Sequence, residues 1–163
     1  MILSPFLGLN MAETLGSLCD KLTIVKLKEW HTEDPDRRTS LESQERQLRE
    51  EIDVFVRGAA SGSIPIDRLV FAANKVYKRE GNAVAPVAGT IGEVFSQLAW
   101  VNCQLWHEQE KVYDFGSVPA DQKDAVVKQL ALLNLQRNEC IDRIDRAFRD
   151  EMKSNVPRPE AGS

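Results

Sequence analysis

The sequence predicts an all-α protein: a four-helix-bundle core from an internal helix duplication, plus a short connecting helix. Three observations predict it. No segment alternates apolar and polar residues for long enough to demand a strand. Asn10 with Glu13, Thr39 with Glu42 and Thr90 with Glu93 each have the spacing with which a side chain caps a helix start and a residue three on reaches back. Thr14 to Asp34 also aligns without gaps on Thr90 to Glu110, with Thr14, Gly16, Leu22, Val25, Trp30 and His31 meeting identical residues at Thr90, Gly92, Leu98, Val101, Trp106 and His107. A repeated supersecondary unit constrains architecture before any finer reading.

In chain order, residues 1–10 are expected to be an N-terminal arm, residues 11–153 a single helical domain, and residues 154–163 a disordered tail. The first helix should run from about 11 to 33 and stop at Asp34-Pro35, because proline disfavours helical geometry in the residue before it. The second should run from about 40 to 57, with Leu41, Leu48, Ile52 and Phe55 on one stripe, and stop at Gly58. After the flexible Gly58 to Pro65 segment, a shorter helix over about 67–79 should carry Leu69, Val70, Ala73, Val76 and Tyr77 inward. Ala83 to Gly89 connects it to a long helix over about 90–114. The last helix should run to about 153 on a stripe of Val127, Leu130, Asn134, Arg137, Ile141, Ile144 and Phe148. Both repeated segments have apolar residues on two sides, Trp100 and Cys103 opposing Leu98 and Val101 in the second. They are therefore expected to be the central helices, flanked by the second and the last.

A chain of 163 residues that is 42% hydrophobic and 28% charged can bury a core as one domain without disulfides. Its formal charge of -4 supplies no basic field for a phosphate backbone, so nucleic acid is not an expected partner. Cys19, Cys103 and Cys140 are odd in number and lie among apolar neighbours, which reads as reduced thiols in the cytoplasm. The opening MILSPFLGLN is too short to span a membrane and lacks a leading basic residue. No membrane insertion is expected. The arm should pack on the body or on a second subunit, which makes a homo-oligomer the expected state.

The paired Trp-His motifs allow two readings. In one, His31 with Asp34 and His107 with Glu110 place imidazole and carboxylate on one helix face, and two such units from facing helices supply ligands for a divalent metal such as zinc, manganese or iron. This requires the two helices to bring their C-terminal ends together. In the other, no cofactor is needed: Trp30 and Trp106 anchor the core, and His31 gains from the helix dipole. A second constellation is polar residues on apolar stripes. Asn134, Arg137 and Asn102 form either a satisfied network with Asp20 or Glu29, or a pocket in which Arg137, with Lys21 or Lys28, meets an anionic small molecule. The row Glu139, Asp142 and Asp145 resembles magnesium-holding carboxylates, but each has an arginine four residues later, as a solvated face does.

Asp20-Lys21-Leu22-Thr23-Ile24, continued to Lys28, resembles the D-K-[LI]-T-I-x-x-[LI]-K signature of an uncharacterised bacterial all-α domain family. Asn102, Leu105, Trp106, Glu108 and Glu110 are similar to its second signature, N-x-x-L-W followed by acidic residues. The resemblance covers mainly the two repeated helices, and more loosely Leu133 to Asp145. It implies a setting near glycosyltransferases of cell-envelope polysaccharide synthesis, implies no particular activity, and does not require histidine at the place of His107. It directs attention to Asp20, Lys21, Lys28, Asn102 and Trp106. The function expected from the whole sequence is a non-catalytic accessory or binding protein with a protein or anionic small-molecule partner. The alternative is a metal-dependent hydrolase, for example nucleotide pyrophosphatase-like, with its site between the repeated helices at His31, Asp34, His107 and Glu110.

Overall fold

Thr14 opens the first helix. Its hydroxyl accepts from the Ser17 amide at 3.2 Å while the Ser17 hydroxyl accepts from the Thr14 amide at 2.9 Å, a reciprocal cap that starts α1, Leu15–His31. The computed structural model describes residues 12–71, 73, 74 and 84–155. The expected start at residue 11 is therefore too early, since Ala12 and Glu13 are not helical and Asn10 lies outside the described residues. Glu13 accepts instead from the Ser17 hydroxyl and from Lys21 Nζ, each at 2.6 Å.

The break at Asp34-Pro35 is real but shorter than expected. Asp34 accepts from the amides of Asp36 and Arg37 and Pro35 is the first helical residue, so α2, Pro35–Ser61, begins at the proline. Thr39, expected as a cap, is inside the helix and donates its hydroxyl to the Pro35 carbonyl at 3.0 Å. Gly58 does not stop it either. The Ile64 side chain folds over that glycine, and Gly62, at φ 75°, is the left-handed cap.

The helix expected over 67–79 is not found among the described residues: only Ile66–Arg68 form a single 3-10 turn, and residues 69–71, 73 and 74 are not helical. Val76 and Tyr77 lie outside the described residues. Leu69 nevertheless enters the core, and Asn74 Nδ2 donates to Asp142 at 2.6 Å, so this connection lies along the last helix. Thr90 and Glu93 form the predicted reciprocal cap of α3, Ile91–Tyr113. A second 3-10 turn, Ala120–Gln122, leads into α4, Lys123–Ser154.

The four helices pack together, and the described residues contain no strand. Asn102 meets Asp20 and Thr23, and Trp106 meets His31, so α1 and α3 run parallel. Gly16 meets Asp145 and Asp20 meets Arg137, so α4 runs antiparallel to α1. With the three-residue link to α2, the path is up-down-up-down. Leu18, Val25, Phe55, Leu98, Ile144 and Phe148 lie in one core cluster, in which the Phe55 and Phe148 rings approach to 6.1 Å. No described helix is long and apolar enough to cross a membrane.

Two further expectations are corrected. The matched helices are not both central: α1 packs on all three others, whereas α3 packs on α4 and α1 and leaves Trp100 exposed. The α4 stripe holds at Leu130 and from Arg137 to Phe148 but fails at Val127 and Asn134, which are exposed while Val126 and Leu133 are buried. Along its length α4 changes neighbours, Leu133 meeting Val101 and Leu105, and Cys140 to Phe148 meeting the main core. The buried stripe therefore rotates around the helix.

Candidate functional site

The candidate residues separate into three places. The first is an interior polar network. Asp20, with its side chain 5% exposed, accepts from Arg137 through Nε at 2.7 Å and through Nη2. Asn102 Nδ2 donates to Asp20 at 2.9 Å and to the Thr23 hydroxyl at 2.7 Å, and Thr23 donates in turn to the Asp20 carbonyl. Paired bonds to one carboxylate hold the guanidinium in plane, and Asp20 pushes the Arg137 pKa upward. Of the two readings of these residues, the arrangement is nearer the internal network, although the buried Asn102 Oδ1 has no hydrogen-bond partner among the described residues. Asn134 stays outside it, exposed and donating to the carbonyl of Leu130 in its own helix. Glu29 is also separate, accepting from Lys26 at 2.6 Å.

The second place is a groove of about 350 Å³ between α1 and α2, lined by Lys21, Ile24, Lys28, Gln44, Gln47 and Glu51 among others. Here the two lysines singled out in the sequence share one groove, which Arg137 does not line. Lys21 is paired with Glu13, Gln47 donates to Glu51 at 3.1 Å, and no ion pair to Lys28 forms among the described residues.

The third place holds the Trp-His pairs. Because α1 and α3 run parallel, both pairs lie at one end of the bundle, yet each histidine finds a different neighbour. His31 stacks on Trp106 with ring centroids 4.5 Å apart and planes 20° apart, and its Nδ1 donates to the Leu27 carbonyl at 2.8 Å. His107 Nδ1 lies 3.5 Å from Glu110, which also accepts from Trp106 Nε1 at 2.8 Å. Asp34 is not on the face of His31 at all. The helix ends at His31, and Asp34 is committed to capping α2. The four residues are therefore not assembled into one ligand set, and among the described residues no group of three or more His, Cys, Asp or Glu is placed to hold a metal.

Next to this end an apolar groove of about 330 Å³ runs between α1 and α3, lined by Leu22, Thr23, Lys26, Leu27, Trp30, Phe95, Ala99 and Cys103. Trp30 is 85% exposed, which overturns its expected role as a core anchor, and Trp100 on α3 is 64% exposed. Lys26 lends the groove its alkyl stem, while its ammonium is held by Glu29 and Glu45 at 2.6 and 3.4 Å. Tryptophan at solvent-facing helix positions was the available sequence signal.

Sequence reasoning also missed Asp145. Expected to pair with Arg149 on a solvated face, it is 3% exposed and accepts from the Gly16 amide at 2.7 Å. Burial pushes its pKa up to about 6, against the opposing hydrogen bonds from Gly16 and Thr14. Arg149 pairs with Asp150, and Asp142 accepts from Asn74. Cys19 and Cys140 are unpaired thiols that burial pushes up to about 11, and Cys103 is unpaired and partly exposed. Comparison of the chain with protein-family models, with curated proteins and with solved structures finds no match.

Proposed function

We propose that this chain is a non-catalytic accessory protein that binds an apolar helical segment of a partner protein in the groove between α1 and α3. The observation that carries it is the groove itself: two parallel helices present an almost wholly apolar trough, lined in part by the solvent-exposed Trp30. Covering one such aromatic side chain contributes on the order of 2–3 kcal/mol, so a third helix laid along the trough is stabilised at its centre. The polar cluster does not compete for the role, because its charges are already consumed internally. The sequence resemblance supports a cytoplasmic setting beside cell-envelope polysaccharide synthesis, with an internal duplication as the origin of α1 and α3.

A photo-crosslinking residue in place of Trp30, which lines the groove, tests this in cells producing the chain. It should trap one dominant protein, Ala99→Glu in the groove floor should abolish trapping while helicity is kept, and the purified pair should bind. Trapping that Ala99→Glu leaves unchanged sinks the reading.

A second reading is favoured by the α1–α2 groove. Lys28 beside Gln44 and Gln47 suits a phosphorylated, hydroxyl-rich ligand such as a sugar phosphate. Thermal stabilisation by sugar phosphates or nucleotide sugars that Lys28→Ala removes would support it, and no shift with any of them would reject it.

A further inference from the structure

We propose that the occupant of the apolar groove between α1 and α3 is a second copy of this chain, in a two-fold dimer that brings Trp100 of each copy onto the groove of the other. The inference rests on the reading of this groove as a docking site, and names its partner.

Charge, shape and area point to this occupant. A two-fold interface brings one surface patch onto its own copy, so any charge near the axis meets itself. The α3 face avoids that repulsion: from Val94 to Trp106 the helix carries no Asp, Glu, Lys, Arg or His. On α1 the one charged lining residue, Lys26, turns its ammonium to Glu29 and Glu45 of its own chain. The outer face of α2, by contrast, exposes Arg38, Glu42, Arg46, Glu50 and Asp53. Such an interface also requires a projection and a recess on the same surface, each receiving the other's. Trp100, 64% exposed, supplies the projection. It precedes the groove residue Cys103 by three positions, which makes the two neighbours on one side of α3. The face is also large enough. Residues 91–106 of α3 extend about 24 Å, and α1 is about as long. Two helices packed side by side present a face about 20 Å wide. The footprint of roughly 500 Å² on each copy gives about 1,000 Å² for the pair, the lower bound of a specific interface. An interface of that size makes a reversible dimer rather than an obligate one.

Analytical ultracentrifugation of the full chain, from low micromolar to submillimolar concentration, should show the mass rising from 18.4 kDa to twice that value. Trp100→Glu, at a solvent-exposed position, should hold the chain monomeric throughout with its helicity unchanged. Ala99→Glu should do the same, because it spoils the recess and leaves the projection intact. Cys103 in the groove is a built-in reporter. With about nine-tenths of the chain in the dimer, labelling of Cys103 by a thiol reagent, followed by peptide mass, should slow about tenfold. Trp100→Glu should remove that protection. A monomer at every concentration overturns the proposal. So does a dimer that either variant leaves intact, since it uses another face. The photo-crosslinker in place of Trp30 separates these failures from failure of the docking site. Trapping of the chain itself, lost with Ala99→Glu, supports the dimer. If a different protein is trapped and Ala99→Glu abolishes trapping, the groove stands and its partner is not this chain. If trapping ignores Ala99→Glu, the groove reading itself fails.

Discussion

Asp145 sits where α4 meets the first turn of α1, out of water, with a backbone amide and a threonine hydroxyl as its partners. Burial outweighs those bonds and pushes its pKa up to about 6, where an unperturbed aspartate titrates at 3.8. A raised folded-state pKa means that the folded protein holds this proton more tightly than the unfolded chain. The stability it contributes is fully present below pH 3.8, and is lost as pH rises through 6. The difference between 3.8 and about 6 corresponds to roughly 3 kcal/mol. Asp145→Asn keeps an oxygen for the Gly16 amide but cannot ionise. Urea denaturation of the two chains at pH 4 and pH 8 should therefore show the variant gaining on the parent by about that amount at the higher pH.

The two matched helices share a glycine that does opposite work in each. In α1, a Cβ on Gly16 would stand 2.5 Å from the Ile141 carbonyl oxygen and 2.9 Å from Asp145 Oδ1, so glycine is what lets α4 approach. In α3, a Cβ on Gly92 meets nothing within 4 Å. Gly16→Ala should therefore cost about 2 kcal/mol or more through backbone displacement. Gly92→Ala should be neutral or stabilise by about 0.5 kcal/mol through helix propensity. Thermal denaturation of both variants checks the pair, and equal effects would contradict the packing described. The link from α1 to α2 follows similar local logic. Asp34 and Pro35 end one helix by starting the next, which leaves the carboxylate no freedom to act with His31.

For the molecule as a whole, the Asp20–Arg137–Asn102 network joins α1, α4 and α3 at mid-height and sets their register. A buried carboxylate stripped of its cation is costly, even where the intact pair contributes little net stability. Arg137→Ala should destabilise the fold by about 3 kcal/mol, whereas Asp20→Leu with Arg137→Met, which removes both charges, should cost clearly less. A double-mutant cycle by denaturant titration measures this. The same parallel arrangement of α1 and α3 that builds the network also opens the apolar groove beside it, so one packing choice underlies both the specificity of the core and the proposed docking surface.

The sequence by itself determined the helical class, the Thr90–Glu93 cap and the break at Asp34-Pro35. Each depends on residues within a few positions of one another, where backbone hydrogen bonding and proline sterics act alone. It also brought Asp20, Asn102 and Arg137 under suspicion, because polar groups on apolar stripes require partners. Only the tertiary structure decided which partners they took, since residues 20, 102 and 137 meet through the crossing of three helices. It likewise decided that Leu133 rather than Asn134 faces inward, and that Gly16 is a contact while Gly92 is not. Local pattern specifies what a helix is, but which neighbour covers each face depends on the packing of all four. The exposed Trp30, the buried Asp145 and the groove at Cys103 are properties of that packing.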